Sequence, residues 1–387
     1  MSQLSTKKKE FLNKTKLEFY KEIKKYQKEL KPTKEIEGFP CSAIVGEKNY
    51  PNLATHNISN ENQKSSYQNT SEIVKKNYND IIKLKAKNIL GTTNQIYIKK
   101  TNEKINEEIQ NIYKSKKSIE FASNFEKELS FKKILINKVS GIIGSKNPLI
   151  SLKATQNTTT SKQIEKYSKN DIKAKEAIIS LYERGINEHQ IINLLALGSF
   201  GIQINKKLVP TKWAISAYDQ TLEKHLHKKI IYYKPIEDFE IYEHKDKGNH
   251  FVIILIPDTF QAEIIESFPG AIEKDYVNFD NKLHKESPET SGGYYATKFP
   301  IFEQLIERKK QAAFISLRII SNYDIPLGVV FVRESVRAAL KNKIFKTSNE
   351  KELENFLHIK FPNHSRLYQT SNVLVEKKKQ KKLNAFF

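Results

Sequence analysis

The chain has 387 residues, with 66 Lys and Arg against 44 Asp and Glu, a formal net charge of +22 and a pI near 9.5. Hydrophobic residues at 38% and aromatics at 10% suffice for a core and exclude a wholly disordered chain. A single cysteine, Cys41, excludes an internal disulfide framework and every multi-cysteine zinc or iron–sulfur site. The opening residues hold no apolar signal stretch. The longest apolar runs, such as Phe251–Pro257, fall well short of the roughly 20 residues that span a bilayer, so an intracellular, cytoplasmic protein is expected.

Residues 7–31 read as one basic amphipathic helix, with Leu12, Phe19, Ile23, Tyr26 and Leu30 on one face, that ends at Pro32. It suits a docking helix with a solvated outer face, or one that lies on DNA or a membrane surface. Phe39–Gly46 is β-like, and the Pro/Asn/Ser-rich stretch Pro51–Asn69 reads as a loop. Residues 71–90 and 101–114 look helical, Ser118–Phe125 and Leu149–Ala154 look like strands, and Gln156–Lys162 is a polar loop.

Farther on, Asn170 or Asp171 can cap a helix that runs to Arg184 and stops at Gly185, and a second helix covers about Glu188–Leu197. Lys206–Leu226 is a short extended piece followed by a helix entered through Pro210-Thr211. Ile230–Lys234, Phe239–His244 and His250–Ile256 are strand-like, the last two joined by the hairpin signal Asp246–Asn249. Composition shifts at Asn278–Gly293. Beyond it, Phe299–Ile320 reads as a long helix, Leu327–Val332 as a buried strand and Arg333–Asn342 as a helix. Helices mixed with hairpin-type strands predict an α+β fold.

Only six of the basic residues are arginine: Arg184, Arg308, Arg318, Arg333, Arg337 and Arg366. A lysine bias of this kind is also what an AT-rich genome writes, so part of the excess is compatible with codon drift. The acidic residues do not rise to match, and a surplus of this size favours phosphate backbones or an acidic partner. DNA is therefore an expected partner, with a merely solvated basic surface as the alternative.

The last residues, Thr370–Phe387, form a lysine-rich segment closed by two phenylalanines. Exposed apolar groups there imply a partner, or else a tail folded back on its own domain. Gln380, Leu383, Phe386 and Phe387 follow the spacing Q-x-x-aliphatic-x-x-aromatic-aromatic. One 3₁₀ turn places Leu383 and Phe386 on one side, beside Phe387, while Gln380 offers an amide. This pattern resembles the PCNA-interacting peptide, or PIP box. The resemblance implies that the sliding clamp PCNA is a partner, its pocket filled by the aliphatic and aromatic side chains.

A second resemblance covers most of the chain. Pro40–Asn52 (PCSAIVGEKNYPN), Ile172–Leu197, Lys207–Asp219 (KLVPTKWAISAYD), Gly292–Tyr295 and Pro326–Leu340 (PLGVVFVRESVRAAL) resemble the archaeal Nre family of DNA-repair proteins. The resemblance implies a role in DNA damage repair at the clamp. It divides the chain into a basic N-terminal helix at 1–36, an N-terminal region at 37–285, a C-terminal region at 286–369 and the tail at 370–387. Many members open with a four-cysteine zinc motif. Here the lysine-rich helix stands in that place, His225 and His227 are too close to share a helical face, and no zinc or other cofactor is expected.

Four core residues are candidates for DNA or phosphate contact. Arg333 and Arg337 lie i, i+4 at a helix start, where planar guanidinium groups suit phosphate, or form internal salt bridges with Glu334 or a distant acid. Lys212 and Trp213, the only tryptophan, follow Thr211, the expected cap, at another helix start, and the indole suits either stacking on a base or packing in the core. Gly292-Gly293-Tyr294-Tyr295 reads as a mobile loop with aromatic faces or as a turn into the next helix. The sequence has no Walker loop, GxSxG or HExxH, and no catalytic residue is assigned. The alternative function is a clamp-recruited metal-dependent nuclease or nucleotide-processing enzyme using Asp219, Glu223 or Glu334, three carboxylates without a diagnostic spacing.

Overall fold

The computed structural model describes residues 21, 23–26, 32–60, 71–130, 134–137, 141–157, 159–277, 288–290, 292–321 and 328–379. Within these, the chain parts into two compact units at the Leu222/Glu223 junction; Gly328 alone of the later described residues goes with the first. Helices and mixed sheets occur in both, so the fold is α+β. Of the predicted N-terminal helix, only residues 21 and 23–26 are described, and these are helical.

The first unit is built on six strands: β1 (Glu35–Val45), β2 (Asn52–Asn60), β3 (Ile89–Tyr97), β4 (Phe121–Phe125), β5 (Ile134–Asn137) and β6 (Gly141–Ala154). Their order is β3-β2-β1-β4-β6-β5, and a further pairing of β3 with β6 closes the sheet on itself. That closing pair is parallel, whereas β1–β2, β2–β3, β1–β4 and β4–β6 are antiparallel. Long strands serve two neighbours each. Glu35–Gly38 pairs with β4 and Phe39–Val45 with β2, so β1 bends around the barrel.

Helices α1 (Glu72–Lys75) and α2 (Tyr78–Ala86) join β2 to β3, and α3 (Lys104–Lys114) joins β3 to β4. After the barrel come α4 (Lys162–Lys169), α5 (Ala174–Glu183), α6 (Glu188–Ala196) and the start of α7 (Thr211–Ile230). Buried amides fasten these helices to the barrel. Asn193 Oδ1 accepts from the Ala43 N–H at 3.0 Å, and Gln190 Nε2 donates to the carbonyls of Tyr113 and Ser115. Thr211 is not a cap; its Oγ1 accepts from the Val45 N–H at 2.8 Å and pins the head of α7 to β1. Asp171 likewise does not cap α5, whose N-cap is Lys173; its carboxylate accepts from the Gln203 N–H.

The second unit holds β7 (Phe239–Asp246), β8 (Asn249–Ile256), β9 (Ala262–Phe268), β10 (Ala271–Val277), β11 (Ala313–Ile320) and β12 (Lys343–Thr347), in the order β10-β9-β11-β8-β7-β12. The β7–β8 hairpin turns at Lys247 (φ 45°) and Gly248 (φ 71°), two left-handed positions that match the strand twist. One face of the sheet, including Ile241, Val252, Ile254 and Ile315, packs against Leu353, Leu357, Tyr368 and Leu374. Those come from α10 (Glu350–Lys360), α11 (Ser365–Gln369) and α12 (Asn372–Lys379). Helices α8 (Gly292–Arg308) and α9 (Val329–Ala339) pack together, with Phe331 of α9 against Phe251 of β8 at 6.2 Å.

Several segments differ from the sequence reading. Asn52–Asn60, inside the expected loop, is a strand with most of its polar side chains buried: Asn60 Nδ2 donates to the Leu84 carbonyl and Asn88 Oδ1, and the His56 ring is hydrogen-bonded to Thr92. The expected helix Phe299–Ile320 breaks at Arg308, and Ala313–Ile320 is a strand. Leu327–Val332, expected as a strand, belongs from Val329 onward to α9. A short, wholly apolar run buries equally well as either element, and periodicity does not separate them. Ile230 closes α7 and the residues after it turn, so no strand forms at Ile230–Lys234.

Candidate functional site

Lys212 and Trp213 stand at the head of α7, both exposed. The indole is 47% accessible and tilted against the ring of Tyr50, 5.6 Å between centroids. Tyr50 belongs to the 46–51 turn between β1 and β2, which brings Glu47 to 3.6 Å from Lys212 Nζ. The same turn meets the end of β3: the Ile98 N–H donates to the Pro51 carbonyl at 3.0 Å, and Tyr97 is paired across the sheet with Asn52. Lys207 lies next to this strand end, since the Leu208 N–H donates to the Ile98 carbonyl. Lys48, Lys99, Lys100, Lys207 and Lys212 are all exposed here. Among the described residues, no acid lies within 4 Å of the first four ammonium groups. The sequence pointed to Lys212 and Trp213 and missed Tyr50 and Tyr97. The usable signal was a tyrosine inside the polar turn sequence EKNYPN.

The two arginines of α9 are placed differently. Arg333 is 1% exposed, its guanidinium 5.8 Å from the Phe299 ring centroid. A phosphate on the surface does not reach it, which corrects that expectation. Arg337 is held by Glu303, with Nε–Oε2 2.9 Å and Nη2–Oε1 3.1 Å, and by Glu334 at 2.8 Å. Of the two readings of this pair, the internal salt bridge is the one the geometry makes for Arg337. The Gly292–Tyr295 run is neither a loop nor an aromatic surface. It is the first turn of α8, with Tyr294 and Tyr295 buried.

The carboxylates considered for catalysis are also interior. Asp219 and Glu223 lie four residues apart on α7, at 1% and 0% exposure. Glu223 pairs with Lys298 at 3.0 Å and Glu334 with Arg337. Among the described residues, no group of three or more His, Cys, Asp or Glu side chains is arranged to hold a metal ion. Cys41 is buried, and burial pushes its thiol up to about 12. His227 packs edge-on against Phe260, 4.7 Å between centroids.

A cleft of about 560 Å³ in the second unit runs beside the β7–β8 turn and is lined by Lys245, Lys247, His250, Lys360 and His364. Its charge is largely matched. Lys245 lies 3.2 Å and Lys360 3.9 Å from Glu243, Lys247 pairs with Asp246, and His250 is 2.8 Å from Glu243. Burial lowers the pKa of both His250 and His364, which keeps them neutral near pH 7. An anion entering this cleft competes with acids already in place; at the 46–51 turn Glu47 stands beside Lys212, and the other four lysines have no acid within 4 Å among the described residues.

Gln380, Leu383, Phe386 and Phe387 lie outside the described residues. The helix before them, α12, is firmly docked. Buried Glu263 of β9 accepts from Ser371 Oγ at 2.6 Å and from Asn372 Nδ2 at 3.4 Å at the head of the helix, and Val373 and Leu374 enter the core. No helix among the described residues is long and apolar enough to cross a membrane.

Two family descriptions match the chain, "Archaeal Nre, N-terminal" over residues 13–271 and "Archaeal Nre, C-terminal" over residues 280–386. The chain is 28% identical over 338 residues to the DNA repair protein NreA of Archaeoglobus fulgidus, covering 85% of this chain and 84% of that one. NreA of Haloferax volcanii is 32% identical over 186 residues, 45% of this chain and 44% of its own. NreB of A. fulgidus is 35% identical over 192 residues, 47% and 49% respectively. No solved structure matches the chain.

Proposed function

The chain belongs to the archaeal Nre family, and on that premise we propose that it acts in DNA repair, tethered to the PCNA sliding clamp by Gln380, Leu383, Phe386 and Phe387 while its basic surface contacts DNA. The repair role is supported by the relatives named DNA repair proteins, one of them similar along most of its length. The clamp contact is carried by a single observation, the Q-x-x-L-x-x-F-F spacing at the end of a lysine-rich segment. Its setting supports the reading, because the motif begins at the residue after α12, a helix that Glu263, Val373 and Leu374 hold to the core. A tether of this kind raises the local concentration of the attached domain on DNA without requiring tight DNA contacts of its own. The net charge of +22 supports a backbone contact made through counterion release.

The test is calorimetry of the full chain against the PCNA of the same organism, with the Phe386→Ala/Phe387→Ala double variant alongside. Micromolar or tighter binding that disappears in the double variant, with an unchanged melting temperature, is the expected result. Equal binding by the double variant would sink the tether, and the repair role would then rest on family membership alone.

A further inference from the structure

We propose that the first unit carries a binding surface for single-stranded nucleic acid at the turn between β1 and β2, with unpaired bases stacking on Trp213, Tyr50 and Tyr97. The proposal rests on the reading that the chain contacts DNA, and names the form of DNA and the side chains that hold it.

The connectivity is the first ground. Strands β1, β2, β3, β6 and β4 close in that order, all neighbours antiparallel except β3–β6, with α3 between β3 and β4. This is the arrangement of the five-stranded OB barrel, in which β6 takes the place of the fifth strand and β5 is an added hairpin arm. Barrels of this type bind oligonucleotides or oligosaccharides on the face of their second and third strands and on the loop between the first and second. Fold alone assigns nothing; the side chains at that place must fit.

They do. Most of β2 and the first half of β3 are buried, and the exposed part of this face lies where β2 begins and β3 ends, beside the 46–51 turn. Asn52 pairs with Tyr97 and Ala54 with Gln95, so the outer side presents a ring and two amides there. Seven large apolar side chains are exposed among the described residues, and three of them, Tyr50, Tyr97 and Trp213, gather here at 43–48% accessibility. Aromatic rings left half open to water offer a stacking face to a partner with a flat apolar face, and every base has one.

Charge decides the class of partner. Lys48, Lys99, Lys100, Lys207 and Lys212 surround the rings, with Glu47 as the acid beside Lys212. A protein covering these rings would have to desolvate that crowd of ammonium groups, whereas a phosphate backbone meets them with counterion release. Duplex DNA offers backbone but keeps its base faces stacked, so the rings select unpaired strands.

Trp213 is the only tryptophan, so its emission reports directly on the site. The experiment titrates the full-length protein with oligo(dT) and with a duplex of equal length, following Trp213 fluorescence and the anisotropy of labelled DNA. Oligo(dT) is expected to quench Trp213 more strongly than the duplex. Trp213→Ala and Tyr50→Ala are each expected to weaken oligo(dT) binding about tenfold and to change duplex binding by less than about twofold. The Lys48→Ala/Lys212→Ala variant, which leaves the rings in place, should flatten the salt dependence of oligo(dT) binding by about 0.7 per lost contact. Tyr232→Ala, an 84% exposed tyrosine of the second unit, serves as control and should change nothing. Wild-type binding that survives both ring substitutions without quenching would overturn this site and leave the DNA contact standing. Failure of the wild type to bind either DNA would overturn both.

Discussion

Lys298 Nζ lies 3.0 Å from Glu223 Oε2, with neither side chain exposed to solvent, and 3.7 Å from the centroid of the Tyr294 ring. Burial pushes the Lys298 pKa down, and the neighbouring Glu223 and Asp275 charges push against it. A buried pair of this kind adds little net stability when whole, yet removing one partner strands a charge in the interior at a cost of about 3–5 kcal/mol. Lys298→Met is therefore expected to destabilise the second unit by about that much. Lys298→Met with Glu223→Leu should recover much of the loss. Urea unfolding of the single and double variants checks this, and a double variant as unstable as the sum of its singles would refute the pairing.

Two titrating groups place acid sensitivity in separate pH windows. Burial raises the Glu240 carboxyl, but hydrogen bonds from Arg308, Tyr242 and Lys343 outweigh it and hold the pKa down at about 2. A lowered carboxylate gives stability that is whole above the unfolded value of 4.5 and is lost as pH falls toward 2. In the first unit, burial, with Lys146 adding to it, lowers His56 from 6.5 to about 4. There the unfolded chain takes up the proton first, so stability is lost between pH 6.5 and 4. His56→Gln should flatten stability across the upper window and Glu240→Gln across the lower one. Equilibrium unfolding at several pH values tests both, and a His56→Gln curve parallel to wild type would remove the assignment.

Arg337 was legible in the sequence as a pair of alternatives, and its three short contacts to Glu303 and Glu334 make it an internal strut. Arg337→Ala is expected to lower stability by about 2 kcal/mol, the scale of hydrogen bonds to charged groups. The salt slope of the proposed DNA binding should stay unchanged, where loss of a true phosphate contact to a duplex would lower it by about 0.9. A flattened slope with an unaltered melting temperature would reverse the conclusion.

The hairpin at Asp246–Asn249, the helix entry at Pro210-Thr211 and the α+β class could be read from the residues because local chemistry fixes them. The barrel could not. Asn52–Asn60 looks like a loop since its Asn, Ser, Thr and His side chains are polar, and only distant partners such as Asn88 and Thr92 make their burial tolerable. The same blindness hid Tyr50. Trp213 stood out as the single tryptophan, but the ring beside it lies 163 residues earlier, a distance no periodicity spans. Arg333 misled for the opposite reason: an arginine inside an apolar run looks available, and its burial follows from how α8 and α9 pack.

Gly185 and Gly198 end helices α5 and α6 in the same way. Each is left-handed, with φ of 71° and 74°, and at each end the following N–H reaches back five residues, from Ile186 to Leu181 and from Ser199 to Leu194. Their surroundings differ. A Cβ on Gly185 would meet nothing within 4 Å, whereas one on Gly198 would lie 2.6 Å from Thr101 Cγ2 and 2.8 Å from the backbone of Lys207. Gly185→Ala should thus cost only the backbone strain, about 1 kcal/mol. Gly198→Ala adds a clash with main chain that has no flexible end to yield, for a total of about 2–4 kcal/mol. It should also displace the Lys207 segment that follows, and with it weaken the single-strand binding proposed for the neighbouring turn. Thermal unfolding of the two variants side by side separates the effects, and equal losses would mean that the packing around Gly198 gives way.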